Sequence, residues 1–243
     1  MKIHIQDTPA KLGEAAGALA ASAIRTVLQM RNEVNIILAT GSSQFATLQH
    51  LIRSSLDWGR IRMFHLDEYI GLPESHPASF RKYLRERFIL QVPALMDYFL
   101  IDGEAPDPAA ECDRLEKLIR RYPIDVALIG IGENGHLAFN DPPADFTTHS
   151  AYHIVHLDQA CRQQQVGEGW FPDWEAVPAT AISMTIPQIL ASDKLIVSVP
   201  DSRKAHAVKC TVHGLVDPGC PASILQNHPN CDLFLDLNAA VLL

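Results

Sequence analysis

Short apolar runs alternate with helical patterns along almost the whole chain. The apolar runs are compact and rich in branched residues, as in strands that are buried on both faces of a parallel sheet. They span residues 2–5, 34–39, 62–66, 125–129, 194–199 and 232–235, the first of them with the alternation of an edge strand. Helical patterns lie between them, over residues 44–56, 79–88, 108–121 and 204–213.

The first helix is predicted to begin at Pro9, with Thr8 as its N-cap. Its alanine-rich stretch has apolar residues on one helical face, and Asp7, Lys11 and Glu14 interrupt any signal-peptide core. The whole pattern predicts one domain, residues 1–243, with a doubly wound, mostly parallel, Rossmann-like α/β sheet that carries helices on both faces.

Charge and cysteine content exclude several classes of protein. The net charge of −8 disfavours nucleic acid as a partner, because such binding needs a basic surface. No apolar stretch approaches the roughly 20 residues of a membrane span, so no membrane partner is expected either. The five cysteines are odd in number and include no CxxC pair, which predicts reduced thiols in a cytoplasmic protein and no zinc ribbon.

In an open α/β sheet, ligands bind beyond the carboxyl ends of the strands, so the residues that follow each strand are the candidates for chemistry. The second strand is followed by Thr40, Gly41, Ser42, Ser43 and Gln44, and then by a helical pattern. A small, hydroxyl-rich turn at a helix N-terminus offers free N–H donors to a phosphate group. The alternative is that Ser42 or Ser43 only caps the helix.

Two adjacent acids, Asp67 and Glu68, follow the third strand. A carboxylate at the end of a buried strand is costly to desolvate unless it is used or paired. Burial could raise the pKa of Asp67 toward that of a general base, and capping of a loop or helix is the alternative role.

A glycine-rich turn, GIGENGH, follows the fourth apolar run and contains a literal GxGxxG. A dinucleotide-binding fingerprint would open a long helix, but Pro142 and Pro143 leave no room for one. The turn instead predicts that His136 lies at the sheet edge, with Asp141 close enough to orient its ring as a proton shuttle.

These segments resemble glucosamine-6-phosphate deaminases in order and spacing. The resemblance lies in LATGSSQFATLQHL, FHLDEYIGLPESHPASF and GIGENGHLAFNDP, and in the tail segments DSRKA and PASILQNH. It spans nearly the whole chain and implies an aldose–ketose isomerisation that releases ammonia from a 2-amino sugar phosphate, without a metal or organic cofactor.

The resemblance also implies roles for single residues. Asp67 would move a proton between C2 and C1 of the sugar. His136 would assist ring opening, supported by Asn134 and Asp141. The turn Thr40 to Gln44 and the side chain of Lys204 would hold the phosphate.

The chain departs from the family pattern at three places. Many relatives have Asp where Asn134 stands, and Glu is usual where Asp141 stands. The helix after Asp158 carries a phosphate-binding Arg in the family, whereas here Arg162 lies about one turn early and Gln165 is nearer the expected place. We expect Arg162 to compensate for the missing side chain, or the anionic end of the substrate to bind differently. An insertion at 167–173, with Trp170 inside it and Trp174 just after it, is expected to reshape the pocket.

Two other functions remain open from sequence. A 6-phosphogluconolactonase shares the glycine-rich turn, but usually continues it with a Ser-Leu-Phe-Pro-like run instead of LAFNDP. A non-catalytic sugar-phosphate-binding protein is the second alternative. Ala151, Tyr152 and His153 stand where hexameric relatives carry basic residues for an allosteric sugar phosphate, and the chain ends at Leu243, so we expect no such regulation. The sequence leaves open whether the protein is a monomer or a small homo-oligomer.

Overall fold

A computed structural model describes residues 1–167 and 169–243. Within these residues, seven strands form the main sheet: β1 (Lys2–Gln6), β2 (Val34–Leu38), β3 (Ile61–His65), β5 (Asp97–Phe99), β6 (Val126–Ile129), β9 (Lys194–Val199) and β10 (Cys231–Asp236). They pair side by side in the order β1-β10-β9-β6-β2-β3-β5, and every pair is parallel. All six apolar runs predicted as strands are in this sheet.

Helices connect the strands, and the first of them begins with the expected cap. They are α1 (Pro9–Met30), α2 (Phe45–Arg53), α3 (Phe80–Arg87), α4 (Pro108–Arg121), α5 (Gln159–Gly167), α6 (Ile186–Leu190) and α7 (Ala205–His213). The Thr8 hydroxyl accepts a hydrogen bond of 3.2 Å from the Lys11 amide, and Pro9 is the first helical residue, so the predicted N-cap is confirmed. No helix in the two described parts of the chain is both long enough and apolar enough to cross a membrane.

Both faces of the main sheet are covered, which explains why its strands are almost wholly apolar. On β2, Ile36 and Leu38 pack in a cluster with the apolar face of α1, whereas Ile37 packs in the opposite cluster with residues of α4. Alternate side chains of a strand point to opposite faces, so each face receives apolar residues. The predicted fold class, a doubly wound and mostly parallel α/β sheet, is confirmed.

A second, small sheet was not predicted as such. Its strands are β4 (Asp67–Tyr69), β8 (Thr180–Met184) and β7 (Tyr152–His156), and both pairings are antiparallel. Because β4 follows β3 after the single residue Leu66, Asp67 stands where the chain passes from the main sheet to the small one.

The order of the central strands determines where polar residues gather. β9, β6, β2 and β3 are consecutive neighbours and run in the same direction, so their carboxyl ends lie along one edge. The segments that follow these four strands therefore converge there, as expected for ligand sites in open α/β sheets.

Candidate active site

A cavity of about 250 Å³ opens at the carboxyl edge of the four central strands. Its wall includes the turn after β2, the start of β4, the glycine-rich turn after β6 and the turn after β9. The residues of the wall that bear on function are Thr40, Gly41, Ser42, Ser43, Asp67, Phe80, Gly132, His136, Gln164, Gln165, Trp170, Arg203 and Lys204. Most of the residues that the sequence singled out for chemistry are thus brought to one place.

The turn after β2 has the form of an anion-binding turn. Gly41 has φ 97°, a conformation that residues with a Cβ rarely adopt, and a short 3-10 turn from Ser42 leads into α2. Thr40, Gly41, Ser42 and Ser43 line the cavity.

Gln44 does not line the cavity with the rest of its turn, contrary to expectation. Its side-chain amide is buried and donates to the carbonyl oxygens of Ile129 at 3.4 Å and Ser198 at 3.3 Å. Gln44 therefore joins the carboxyl ends of β6 and β9 beneath the turn. Its backbone amide donates to the Gly41 carbonyl, so it also closes the turn.

Asp67 is buried at the wall of the cavity, with 7% of its surface exposed. Burial, with a smaller contribution from the adjacent Glu68 charge, raises the pKa of Asp67 to about 8. A carboxyl group with this pKa can both take and return a proton near neutral pH, as a general base requires.

Glu68 has a structural role that the sequence did not reveal. One of its carboxylate oxygens accepts from the Ser79 hydroxyl at 2.9 Å and the Arg81 amide at 2.8 Å, and the other from the Phe80 amide at 3.2 Å. Glu68 thereby satisfies donors at the start of α3, and Arg81 pairs with it at 3.2 Å. This network fixes the backbone beside Asp67.

His136 and Asp141 form the hydrogen-bonded pair that the sequence predicted. Nδ1 of His136 lies 3.0 Å from Oδ1 of Asp141, and the Asn134 side chain donates to the same oxygen at 2.9 Å. Because Nδ1 faces a carboxylate oxygen, which can only accept, we assign the proton of the neutral ring to Nδ1. Nε2 is then unprotonated and can act as a base. Burial opposes ionisation of Asp141, but the hydrogen bonds from His136 and Asn134 outweigh it and lower its pKa.

Glycines shape the turn that carries His136. A Cβ on Gly132 would lie 2.2 Å from Nε2 of His136, so the imidazole ring lies directly against this backbone. Gly135 has φ 87°, which the tight turn before His136 requires. The GxGxxG spacing thus serves to seat an imidazole ring, which agrees with the rejection of a dinucleotide fingerprint.

One group of side chains in the described residues has the composition of a metal site. The ligand atoms of His136, Asp141 and Cys161 all lie within 4.8 Å of one another. Nδ1 of His136 and Oδ1 of Asp141 already face each other at 3.0 Å, an arrangement that fits proton transfer by His136. The second oxygen of Asp141 is buried without a hydrogen-bond partner among the described residues.

Arg162 does not reach the cavity. Its guanidinium group donates to the Val177 carbonyl at 2.9 Å and lies 4.7 Å above the Trp174 ring. The expectation that Arg162 replaces the missing phosphate-binding Arg is therefore not met by its position. Helix α5 turns Gln164 and Gln165 to the cavity instead.

The insertion at 167–173 reaches the cavity through Trp170, whereas Trp174 packs under Arg162. Glu168 of this insertion lies outside the described residues. The sequence also gave no role to Arg203, which lines the cavity beside Lys204. Arg203 could have been predicted as a cavity residue, because it precedes Lys204 in a polar turn that follows a predicted strand.

Fold and cavity together define the class of the protein, a Rossmann-like α/β protein with an acid–base site at the carboxyl edge of its sheet. The sequence profile of glucosamine-6-phosphate isomerases/6-phosphogluconolactonase matches residues 7–233. The chain belongs to this family.

Individual relatives agree. The chain is 40% identical over 212 residues to a glucosamine-6-phosphate deaminase of Listeria monocytogenes serotype 4a (strain HCC23), covering 87% of this chain and 88% of the relative. It is 34% identical over 239 residues to a glucosamine-6-phosphate deaminase of Bacillus thuringiensis (strain Al Hakam), covering 98% and 88%.

Solved structures extend the comparison. A monomeric glucosamine-6-phosphate deaminase superposes with a TM-score of 0.91 at 31% identity, with complete coverage of both chains. A 6-phosphogluconolactonase from Trypanosoma brucei has a TM-score of 0.81 at 18% identity, covering 99% of this chain and 97% of that one, and shares the fold.

Proposed function

We propose that the protein is a glucosamine-6-phosphate deaminase, which converts a 2-amino-2-deoxyhexose 6-phosphate into a ketose 6-phosphate and ammonia. The observation that carries the proposal is the joint presence, in one cavity, of a carboxyl group with a pKa of about 8 and a separate, carboxylate-oriented imidazole. Isomerisation and ring opening need two such groups that act at different atoms.

Ring opening is assigned to His136. Its Nε2 accepts the proton of the sugar O1 hydroxyl and returns a proton to O5 as the C1–O5 bond breaks. Asp141 stabilises the charged imidazolium during this step, and Asn134 holds Asp141 in place.

Isomerisation is assigned to Asp67. Its carboxylate removes the proton from C2 of the open-chain sugar and delivers it to C1. A second proton passes from the amine nitrogen to O1, so that C1 becomes a hydroxymethyl carbon and C2 an imine. Water adds to this imine and ammonia leaves, so the balanced products are the ketose phosphate and ammonia. A 6-phosphogluconolactonase would hydrolyse an ester and would have no use for a base over C2, which disfavours that alternative.

The phosphate is assigned to the turn Thr40 to Ser43 and to Lys204. The turn presents backbone donors at the start of α2, and the largely buried Lys204 lines the same cavity. Binding the phosphate at the far end of the sugar supplies energy that positions C1 and C2. The free state of all five cysteines supports a reducing, cytoplasmic environment for this enzyme.

The test is ammonia release by the purified protein from glucosamine 6-phosphate, with galactosamine 6-phosphate and 6-phosphogluconolactone assayed in parallel. We expect ammonia from an amino sugar phosphate and a loss of about a thousandfold or more in kcat for Asp67→Asn, with sugar-phosphate binding retained. Wild-type activity in Asp67→Asn would refute the base assignment. Lactone hydrolysis alone would assign the protein to the other branch of its family, and binding without turnover would make it a sensor.

A further inference from the structure

The turns after β2 and β9 have the same construction. These strands flank β6, and each is followed by a residue with positive φ, Gly41 at 97° and Asp201 at 88°. A 3-10 turn of three residues comes next, and then a helix of nine residues, α2 or α7. The same hydrogen bond of 3.1 Å closes both turns, from Gln44 to Gly41 and from Lys204 to Asp201. The cavity therefore lies between two similar turns.

Asp201 differs from its counterpart Gly41 in carrying a side chain at an unfavourable φ. Glycine would adopt this conformation without strain, so the conformation alone does not call for Asp. The Asp201 carboxylate accepts from the backbone amide of Arg203 at 3.0 Å and from Nε of Arg203 at 3.0 Å, and Nη2 of Arg203 lies 3.0 Å from the same carboxylate. The side chain thus fixes both the backbone and the guanidinium group of Arg203.

A second carboxylate holds the same guanidinium group from the opposite side. Nη1 of Arg203 lies 3.3 Å from Oε1 of Glu133, which belongs to the glycine-rich turn after β6. Arg203 is therefore held at the rim of the cavity by acids from two different turns. Its side chain is 44% exposed, so it can exchange a carboxylate partner for another anion.

A phosphate group in the cavity would need more positive charge than Lys204 alone provides. A phosphate dianion is best neutralised by more than one cation, whereas the described side chains of α5 that line the cavity are the amides of Gln164 and Gln165. Within the described parts of the wall, the lysine and arginine side chains are Lys204 and Arg203. The planar fork of an Arg can donate two hydrogen bonds to a phosphate, which a Lys cannot match.

We infer that Arg203 is a second phosphate-binding side chain of the cavity, and that Asp201 is the positioning residue that holds it there. The inference rests on the proposed function for the identity of the substrate, but requires only that the ligand be a phosphomonoester. On binding, Nη1 of the guanidinium group exchanges Glu133 for a phosphate oxygen, while Asp201 keeps its hold on Nε and Nη2. The turn after β9 thereby supplies the guanidinium group that Arg162 of α5 does not bring to the cavity.

The direct test is calorimetric titration of the full chain with inorganic phosphate. We expect Arg203→Gln to weaken phosphate binding about tenfold, as for the loss of one charge-assisted hydrogen bond. Lys204→Ala is the positive control. Arg25→Gln is the matched negative control, because Arg25 is exposed and lies about 24 Å along α1 from the cavity residue Pro9. Phosphate binding by Arg203→Gln equal to that of the wild type, or no binding by the wild type, would overturn the inference.

Asp201→Gly tests the positioning role separately. The variant loses the hydrogen bond from the Arg203 amide to the Asp201 side chain, but glycine adopts the positive φ without strain. Because these two effects oppose each other, the melting temperature should stay within about 4 °C of the wild type. Phosphate binding should nevertheless weaken several-fold, because Arg203 is no longer held. Unchanged phosphate binding in a folded Asp201→Gly protein would remove the role from Asp201.

The Michaelis constant separates this inference from the proposed function. If the wild type releases ammonia and Arg203→Gln has an unchanged KM, the inference fails and the function stands. If the wild type releases no ammonia but phosphate binding depends on Arg203, the function fails and the inference stands. When both hold, Arg203→Gln should raise KM with kcat little changed.

Discussion

At the scale of single residues, the two carboxyl groups assigned to catalysis, Asp67 at the cavity wall and Asp141 behind His136, have opposite environments. Asp67 is buried beside Glu68, which raises its pKa to about 8. Asp141 receives hydrogen bonds from His136 and Asn134, which lower its pKa in spite of burial. This difference in pKa indicates different roles for the two residues. Asp67 titrates near neutral pH and can carry a proton, whereas Asp141 stays ionised and can orient the imidazole of His136.

The pKa of Asp67 leads to a prediction for the pH dependence of catalysis. The base must be ionised, so kcat/KM should rise about tenfold per pH unit below the pKa and level off above about pH 8. A pH–rate profile from pH 5.5 to 9.5 measures this, with circular dichroism at each pH to verify that the protein stays folded. A profile that is flat between pH 6 and 8 would contradict the assignment of Asp67 as the base.

At the scale of elements, the segment from β4 to α3 is held by a buried ion pair. Glu68 is fully buried and accepts from the first amides of α3, and the nearly buried Arg81 pairs with it, with Asp102 at 3.2 Å and with Glu104 at 3.1 Å. Phe80, the first residue of α3, lines the cavity. The network therefore connects the stability of this segment to the shape of the site.

We expect Arg81→Met to lower the free energy of unfolding by about 3 kcal/mol, because it leaves Glu68 buried without its cation. The double variant Glu68→Gln/Arg81→Met should recover part of this loss, since no charge is then left unpaired. Urea denaturation measures both.

Arg85→Gln is the control for the Arg81 variant. Arg85 lies on the same helix, and its side chain is 39% exposed in an ion pair with Glu74. Its loss should cost less than about 1 kcal/mol. Equal losses for the Arg81 and Arg85 variants would mean that burial of the Glu68 pair contributes nothing to stability.

At the scale of the whole molecule, the fold forces an ionisable group into a place that disfavours its charge. Because the pKa of Asp67 is about 8 in the folded protein and 3.8 for an ordinary Asp, the folded state binds more protons between these values. The contribution of Asp67 to the free energy of unfolding is therefore fully present below about pH 4, and it is lost as the pH rises through 8.

Asp67→Asn removes the free-energy cost of burying an ionised carboxylate, because an amide stays neutral at every pH. The melting temperature of the variant should lie closest to that of the wild type near pH 4.5 and exceed it increasingly toward pH 8.5. The stabilisation should reach a few kcal/mol, since one pKa unit corresponds to about 1.4 kcal/mol. Thermal melts of both proteins across this range measure it, and a difference that does not vary with pH would refute the pKa of Asp67.

How far the sequence predicted the elements depended on their length and burial. The run at 34–39 was recognisable because a strand buried on both faces is apolar at every position. β4 and β5 escaped prediction because they have three residues each and include charged ones. β8 pairs with β4, whose Asp67 lies opposite Ser183, and such a pairing of distant segments leaves no local pattern.

What the sequence by itself determined is local: the alternation of strands and helices, the N-cap of α1, the glycine-rich turn after β6, and the identity of the polar residues that follow each strand. These features depend on neighbours a few positions apart, which a sequence displays directly. The resemblance of its motifs added the family, which the comparisons with known proteins confirm.

What only the tertiary structure decided is which of those polar residues meet. The order β9-β6-β2-β3 brings four separate turns to one cavity. The rotation of α5 turns Gln165 inward and places Arg162 over Trp174, and the turn after β9 adds Arg203 to the wall. Strand order and helix rotation depend on pairing and packing between distant segments, so no local pattern encodes them.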